Sequence, residues 1–210
     1  MMRKTLMTSA ALAAMTISVP AFAQAADTNT GLQSASVVVS ATNPAKCDVT
    51  ATNTAVVLVG DVLTDANGFP AADVSAKVAE GLNAALVNAW CTGANNGFVL
   101  SRTAFTTDGG GSAGDFQKGI LYDVGVKDPS GVGGNENTED GPTLGLTYGR
   151  FGATAAKTLQ FVSFPGTTPI ATSAPASANG ATSSFTTFAG TRVIAGTYSS
   201  TVTIAITPGV

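Results

Sequence analysis

The chain has no histidine, only two cysteines and one tryptophan, and charged residues make up 11% of its 210 positions. Each scarcity excludes something. Without imidazole the commonest general base near neutral pH and the commonest zinc, copper and iron ligand are both missing, which weighs against an enzyme, a metal centre or a cofactor. So few charges do not support a helical protein laced with salt bridges. With 10 Lys plus Arg against 13 Asp plus Glu and no basic stripe, the electrostatic footprint of nucleic-acid binding is absent too. After Pro20 no apolar run is long enough to span a membrane as a helix. What is present is 44% hydrophobic residues punctuated by 24 Gly and 9 Pro, enough for one core, with a single domain as the default.

The first residues read as an export signal. Arg3 and Lys4 give a positive end, Thr5 to Pro20 is apolar, and small residues stand at cleavage spacing twice, as Ala21-Phe22-Ala23 and Ala23-Gln24-Ala25. The mature chain is expected to start at Gln24 or at Ala26. Export places Cys47 and Cys91 in an oxidising compartment, where an even count reads most simply as one disulfide. Closing that loop stabilises a fold by roughly 4 kcal/mol in the chain-entropy model.

Ala35, Val37, Val39 and Ala41 fall on one face of an alternating segment, with Ser34, Ser36 and Ser40 on the other, a strand pattern that ends at Thr42-Asn43-Pro44. Val49, Ala51 and the run Ala55 to Val59 read as strand, bent or in two halves. Val74, Val78, Leu82 and Leu86 recur at helical steps, but Gly81 weakens the pattern, so a short helix or turn is expected near Ala72 to Glu80, then a strand from Ala84 to Cys91. Phe98 to Phe105, Gly119 to Val126, Leu144 to Tyr148, Leu159 to Phe164, Phe185 to Val193 and Thr197 to Thr207 also read as strands between turn residues. Many short strands point to a β-sandwich or barrel. The Ala/Ser/Thr-rich stretch Thr167 to Ser184 reads as an extended surface loop.

Three candidate sites are weak. Gly110 to Gly114 spells G-x-S-x-G around Ser112, but no strand leads into it, no helix follows, and no histidine is available as base. The acidic run from Asp128 to Gly141 has oxygen ligands, yet its glycine falls one place late for an EF-hand, so it reads as a solvated hairpin loop. Trp90 and the three tyrosines are too scattered for a sugar-stacking platform, and a core tryptophan beside a disulfide is the commoner arrangement.

The signal segment, the early lone strand, the two cysteines and the closing run Ala195-Gly196-Thr197-Tyr198 to Thr207 together resemble a chaperone-usher pilin, of the archaic type with a spore-coat-protein-U-like domain. Gly119-Ile120-Leu121-Tyr122-Asp123-Val124 is similar to that family's central strand, and Phe188-Ala189-Gly190-Thr191-Arg192 to its penultimate turn. The resemblance implies residues 1–23 as signal, 24–45 as an N-terminal extension and 46–210 as an all-β, immunoglobulin-like sandwich that lacks its last strand. Its open groove is filled in the periplasm by a chaperone and then, at an outer-membrane usher, by the extension of an identical or related subunit. Carried onto this chain, Ala35, Val37, Val39 and Ala41 are the donor residues, and Val49, Ala51, Tyr198, Val202, Ile204 and Ile206 belong to the acceptor groove and final strand. The expected product is a head-to-tail fibre at the cell surface, for adhesion or biofilm formation, with no nucleic-acid partner. Three other readings stay open. The early strand can complete its own domain, the chain can be a secreted monomeric binding module, or it can be a small outer-membrane barrel.

Overall fold

The computed structural model describes residues 37–58, 61–108, 115–131, 134–139, 141, 145–164, 168–173 and 179–209, and the chain divides into two units, 1–41 and 42–210. The signal segment, Ala35, Ser112 and Asp140 lie outside the described residues. In the first unit, Val37 to Ala41 hold no strand, and Val37, Val38 and Val39 are 83%, 91% and 89% exposed.

The second unit is built mainly of antiparallel strands. In chain order they are β1 (Cys47–Ala51), then helix α1 (Val74–Ala84), β2 (Val87–Cys91), β3 (Asn96–Arg102), β4 (Phe105–Thr106), β5 (Gly119–Leu121), β6 (Val124–Val126) and β7 (Glu136–Asn137). They continue with β8 (Leu146–Tyr148), β9 (Lys157–Thr158), β10 (Phe161–Ser163), β11 (Ile170–Thr172), β12 (Thr187–Phe188) and β13 (Val202–Thr207). Among the described residues they form four sheets, ordered β1-β2-β9, β10-β6-β7, β12-β11-β5-β4 and β13-β3-β8. The inward residues Val87, Ala89 and Cys91 of β2, and Phe98 and Leu100 of β3, join Val124, Val126, Leu159 and Phe161 in one core. Ile120 of β5 and Ala171 of β11 pack in a separate cluster with Val193, and Leu121 of β5 packs in another with Ala104 and Phe185.

Helix α1 runs to Ala84, one turn beyond the sequence expectation, and it packs against β10 and β6 through Val74 and Val78. Gly81 does not end it. A methyl at Gly81 would meet Val56 and Leu58, so its bare backbone lets the incoming segment cross the helix. That crossing is why the β-branched run Ala55 to Val59 is not a strand at the described positions 55–58.

Two other expectations are corrected. The Ala/Ser/Thr-rich stretch is not only a surface loop, because β11 lies inside it, between β5 and β12, with Ala171 and Thr172 fully enclosed. The acidic run likewise contains β7, where Glu136 is buried and its carboxylate accepts from the Leu146 backbone N–H at 2.8 Å. Gly119 to Val126 splits into β5 and β6 at Tyr122-Asp123, and Phe185 to Val193 keeps strand only at β12. No helix of the described residues is long and apolar enough to cross a membrane.

Candidate functional site

Strands β1 and β13 are neighbours in space, yet each is the edge of a different sheet and no ladder joins them. β1 gives one edge to β2, from Cys47 opposite Cys91 to Ala51 opposite Val87, and β13 gives one edge to β3, from Val202 opposite Arg102 to Thr207 opposite Gly97. Among the described residues, the other edge of each presents backbone N–H and C=O groups with no strand paired to it. Such an edge is an open template for pairing.

The side chains between these edges are apolar and partly covered. Val202, Ile204 and Ile206 alternate with the exposed Thr203, Ala205 and Thr207, and all three pack on the same core as Cys47 and Val49. Their faces are half-buried, so the core reaches the surface along this stripe. Ala51, at the end of β1, is exposed. Tyr198 lies apart: its ring packs with Ile120, Ala171 and Val193, and its hydroxyl donates to the Ile194 carbonyl at 2.7 Å.

A one-residue slip accounts for Tyr198. Val202 opposes Arg102 but Ser199 opposes Thr106, so four steps on one strand face three on the other. This is the geometry of a β-bulge, which turns the chain and changes the face it presents. Polar bonds pin it: the Ser200 hydroxyl donates to the Thr103 carbonyl at 2.7 Å and sits 2.6 Å from the Tyr122 hydroxyl. Burial pushes the Tyr122 phenol up to about 12, and the bond to Ser200 pulls it partly back. Burial also raises Tyr148 and Tyr198.

Cys47 and Cys91 are bonded, as the sequence predicts, with Cα atoms 4.2 Å apart across the β1–β2 ladder. The bond ties the first residue of β1 to the last residue of β2. At the far end of β13, the Gly209 backbone N–H donates to the Asn96 carbonyl oxygen Oδ1 at 3.4 Å, while the Asn96 amide donates to the Gly93 carbonyl at 2.8 Å. A methyl on Gly93 would strike the Gly209 carbonyl, so this close approach requires glycine.

Two groups were missed in the sequence. The first is the enclosed pair Arg102 and Asp123, 2.8 Å apart, beneath the strand that supports β13. Arg102 also donates to the carbonyls of Tyr122 at 2.7 Å and Gly180 at 2.9 Å, and to the Thr182 hydroxyl at 2.7 Å. Burial lowers the Arg102 guanidinium from its usual range, and Asp123 opposes that shift. The second is Asn83, whose side-chain amide donates to the Phe161 carbonyl at 2.9 Å while its oxygen accepts from the Phe161 N–H at 2.8 Å. In this way a side chain occupies an edge of β10. Among the described residues no three acidic or cysteine side chains cluster as a metal site would need.

No family model, curated protein or solved structure matches the chain.

Proposed function

We propose that this chain is the structural subunit of an extracellular pilus- or fimbria-like fibre assembled by donor-strand exchange. On this reading the second unit is an incomplete immunoglobulin-like sandwich. The apolar stripe of Val202, Ile204 and Ile206, with Val49 across from it, takes a strand from outside, first from a periplasmic chaperone and then from another copy. The donor is the alternating segment Ala35, Val37, Val39 and Ala41 of the next subunit, joined head to tail after export and passage through an outer-membrane usher. The fibre serves surface adhesion or biofilm formation.

One observation carries the reading: two adjacent, unjoined edges flank a half-buried apolar stripe, in a chain that also holds an exposed run of three valines outside its disulfide loop. A donor strand satisfies both edges with main-chain hydrogen bonds and covers the stripe with alternate side chains. About ten extended residues reach roughly 33 Å, enough for the six residues of β13 and the turns beyond.

The test separates donor from acceptor. Val37→Asp with Val39→Asp should leave a subunit that accepts a wild-type donor segment but cannot extend a fibre, because carboxylates would enter apolar pockets. Ile204→Asp should do the reverse, failing to accept while still capping a wild-type end. Mixing experiments read by electron microscopy and sizing distinguish the two. A full-length chain that stays a stable monomer at high concentration, and that unfolds when residues 24–42 are removed, overturns the proposal.

A further inference from the structure

An open concavity of about 920 Å³ lies beside Trp90, bordered by Thr92, Arg150, Gly152, Ala155 and Lys157. It is independent of whatever fills the edges of β1 and β13. Alternation along β2 places Asn88 and Trp90 on its outward face, and the ladder sets Asp48 opposite Trp90. The site is held stiffly. Cys91 and Phe151 exchange backbone bonds of 3.0 and 3.2 Å next to the disulfide, and Gly152 has φ +75° with its Cα face against Trp90, where a side chain would collide with the Trp90 Cβ.

The polar groups around the indole point to one ligand chemistry. The Trp90 indole N–H has no protein acceptor among the described residues, and the ring offers an apolar face. Arg150 is fixed at one corner, its Nε donating to the Thr92 carbonyl at 3.0 Å, which leaves its two terminal nitrogens as a fork without a protein partner among the described residues. Lys157 borders the rim, but the ladder sets it opposite Ala89, on the other face of the sheet from Trp90, and its ammonium donates to the Pro129 carbonyl at 2.8 Å. In a chain with an excess of acidic residues, Arg150 is the cation on the indole's side of the sheet, opposite Thr92 in the pairing that runs through Cys91 and Phe151. Residues 153–156 present only small, exposed side chains, so the backbone there is reachable by hydroxyl groups.

We propose that the Trp90 concavity binds an acidic saccharide of the uronic-acid class: the sugar ring stacks on Trp90, its carboxylate bonds to the Arg150 fork, and its hydroxyls meet the backbone of 153–156. The volume suits one or two sugar rings.

Trp90 is the single tryptophan of the chain, so its emission reports this site alone. The full mature protein is titrated with oligogalacturonate, with neutral galactose oligomers of equal length, and with dextran sulfate. The expected result is a saturable emission change with the uronate alone, weakened about ten-fold in Arg150→Gln and less in Arg150→Lys, which keeps charge but loses the fork. Trp90→Phe, followed by calorimetry, should bind more weakly while melting near the wild-type temperature. The proposal is overturned by no saturable change, by an equal response to the neutral oligomer, by a preference for the sulfated polymer, or by Arg150→Gln binding as wild type does.

Discussion

Arg102 is the largest side chain that the second unit encloses completely, and its charge is tolerable only because Asp123, two carbonyls and the Thr182 hydroxyl surround it. Thr138 and Thr182 both donate to Asp123 in turn, at 3.1 and 2.9 Å, so the network closes on itself. Removing one partner leaves the other charged and buried. Arg102→Ala or Asp123→Ala is therefore expected to destabilise by about 3–5 kcal/mol in denaturant titration, whereas a double change to apolar residues should recover much of the loss. The tyrosines give a second residue-scale prediction. An unfolded chain releases phenol protons near pH 10.0 while the folded chain holds the Tyr122 proton until about 12, so stability falls as pH rises through that window. Tyr148 and Tyr198 shift in the same direction. Melting temperature measured from pH 8 to 12 should decline, and Tyr122→Phe should flatten the decline by about 2–3 kcal/mol, after losing about 1 kcal/mol at neutral pH with the Ser200 bond.

At the scale of elements, Gly81 separates two physical effects. Helix propensity alone favours Gly81→Ala by about 1 kcal/mol, but the added methyl meets Val56 and Leu58. The single substitution is expected to give no gain in melting temperature, and Gly81→Ala with Val56→Ala should recover the gain. The same crossing explains why the run Ala55 to Val59 reads as strand in isolation: β-branched residues carry the pattern, and only the helix beneath cancels it. β11 escaped notice for the opposite reason. Ala171 and Thr172 carry little hydrophobic signal of their own, and they become strand because β5 and β12 pair with them on both sides. Of the candidate site, the alternating stripe of Val202, Ile204 and Ile206 was legible, as was the Cys47–Cys91 bond. The bulge that carries Tyr198 away was not, since a slip between partner strands leaves no mark on one strand's own alternation.

For the whole molecule, the disulfide and the edge strand β1 are coupled. Cys47 begins that strand, and its bond to Cys91 is the covalent tie of the edge to β2. Cys47→Ser with Cys91→Ser is expected to lower stability by about 4 kcal/mol through loop entropy. On the proposed function, it should also weaken strand acceptance more than donation, because the donor segment lies outside the loop. Hydrogen exchange on β1 amides, compared with those of β6, would show the edge loosening first; uniform loosening would separate the disulfide from the edge.

The Asn83 amide that pairs with Phe161 has a consequence in the language of polymer valence. A sheet edge is a bonding arm, and a side chain seated on it with both a donor and an acceptor takes that arm out of use. If copies of this chain join through β1 and β13, one accepting and one donating arm make a line, and Asn83 keeps the edge of β10 from adding another. Asn83→Ala would free that edge as a further arm, and a monomer with an added arm can branch. Light scattering at rising concentration should then change from the slow growth of threads to a gel point.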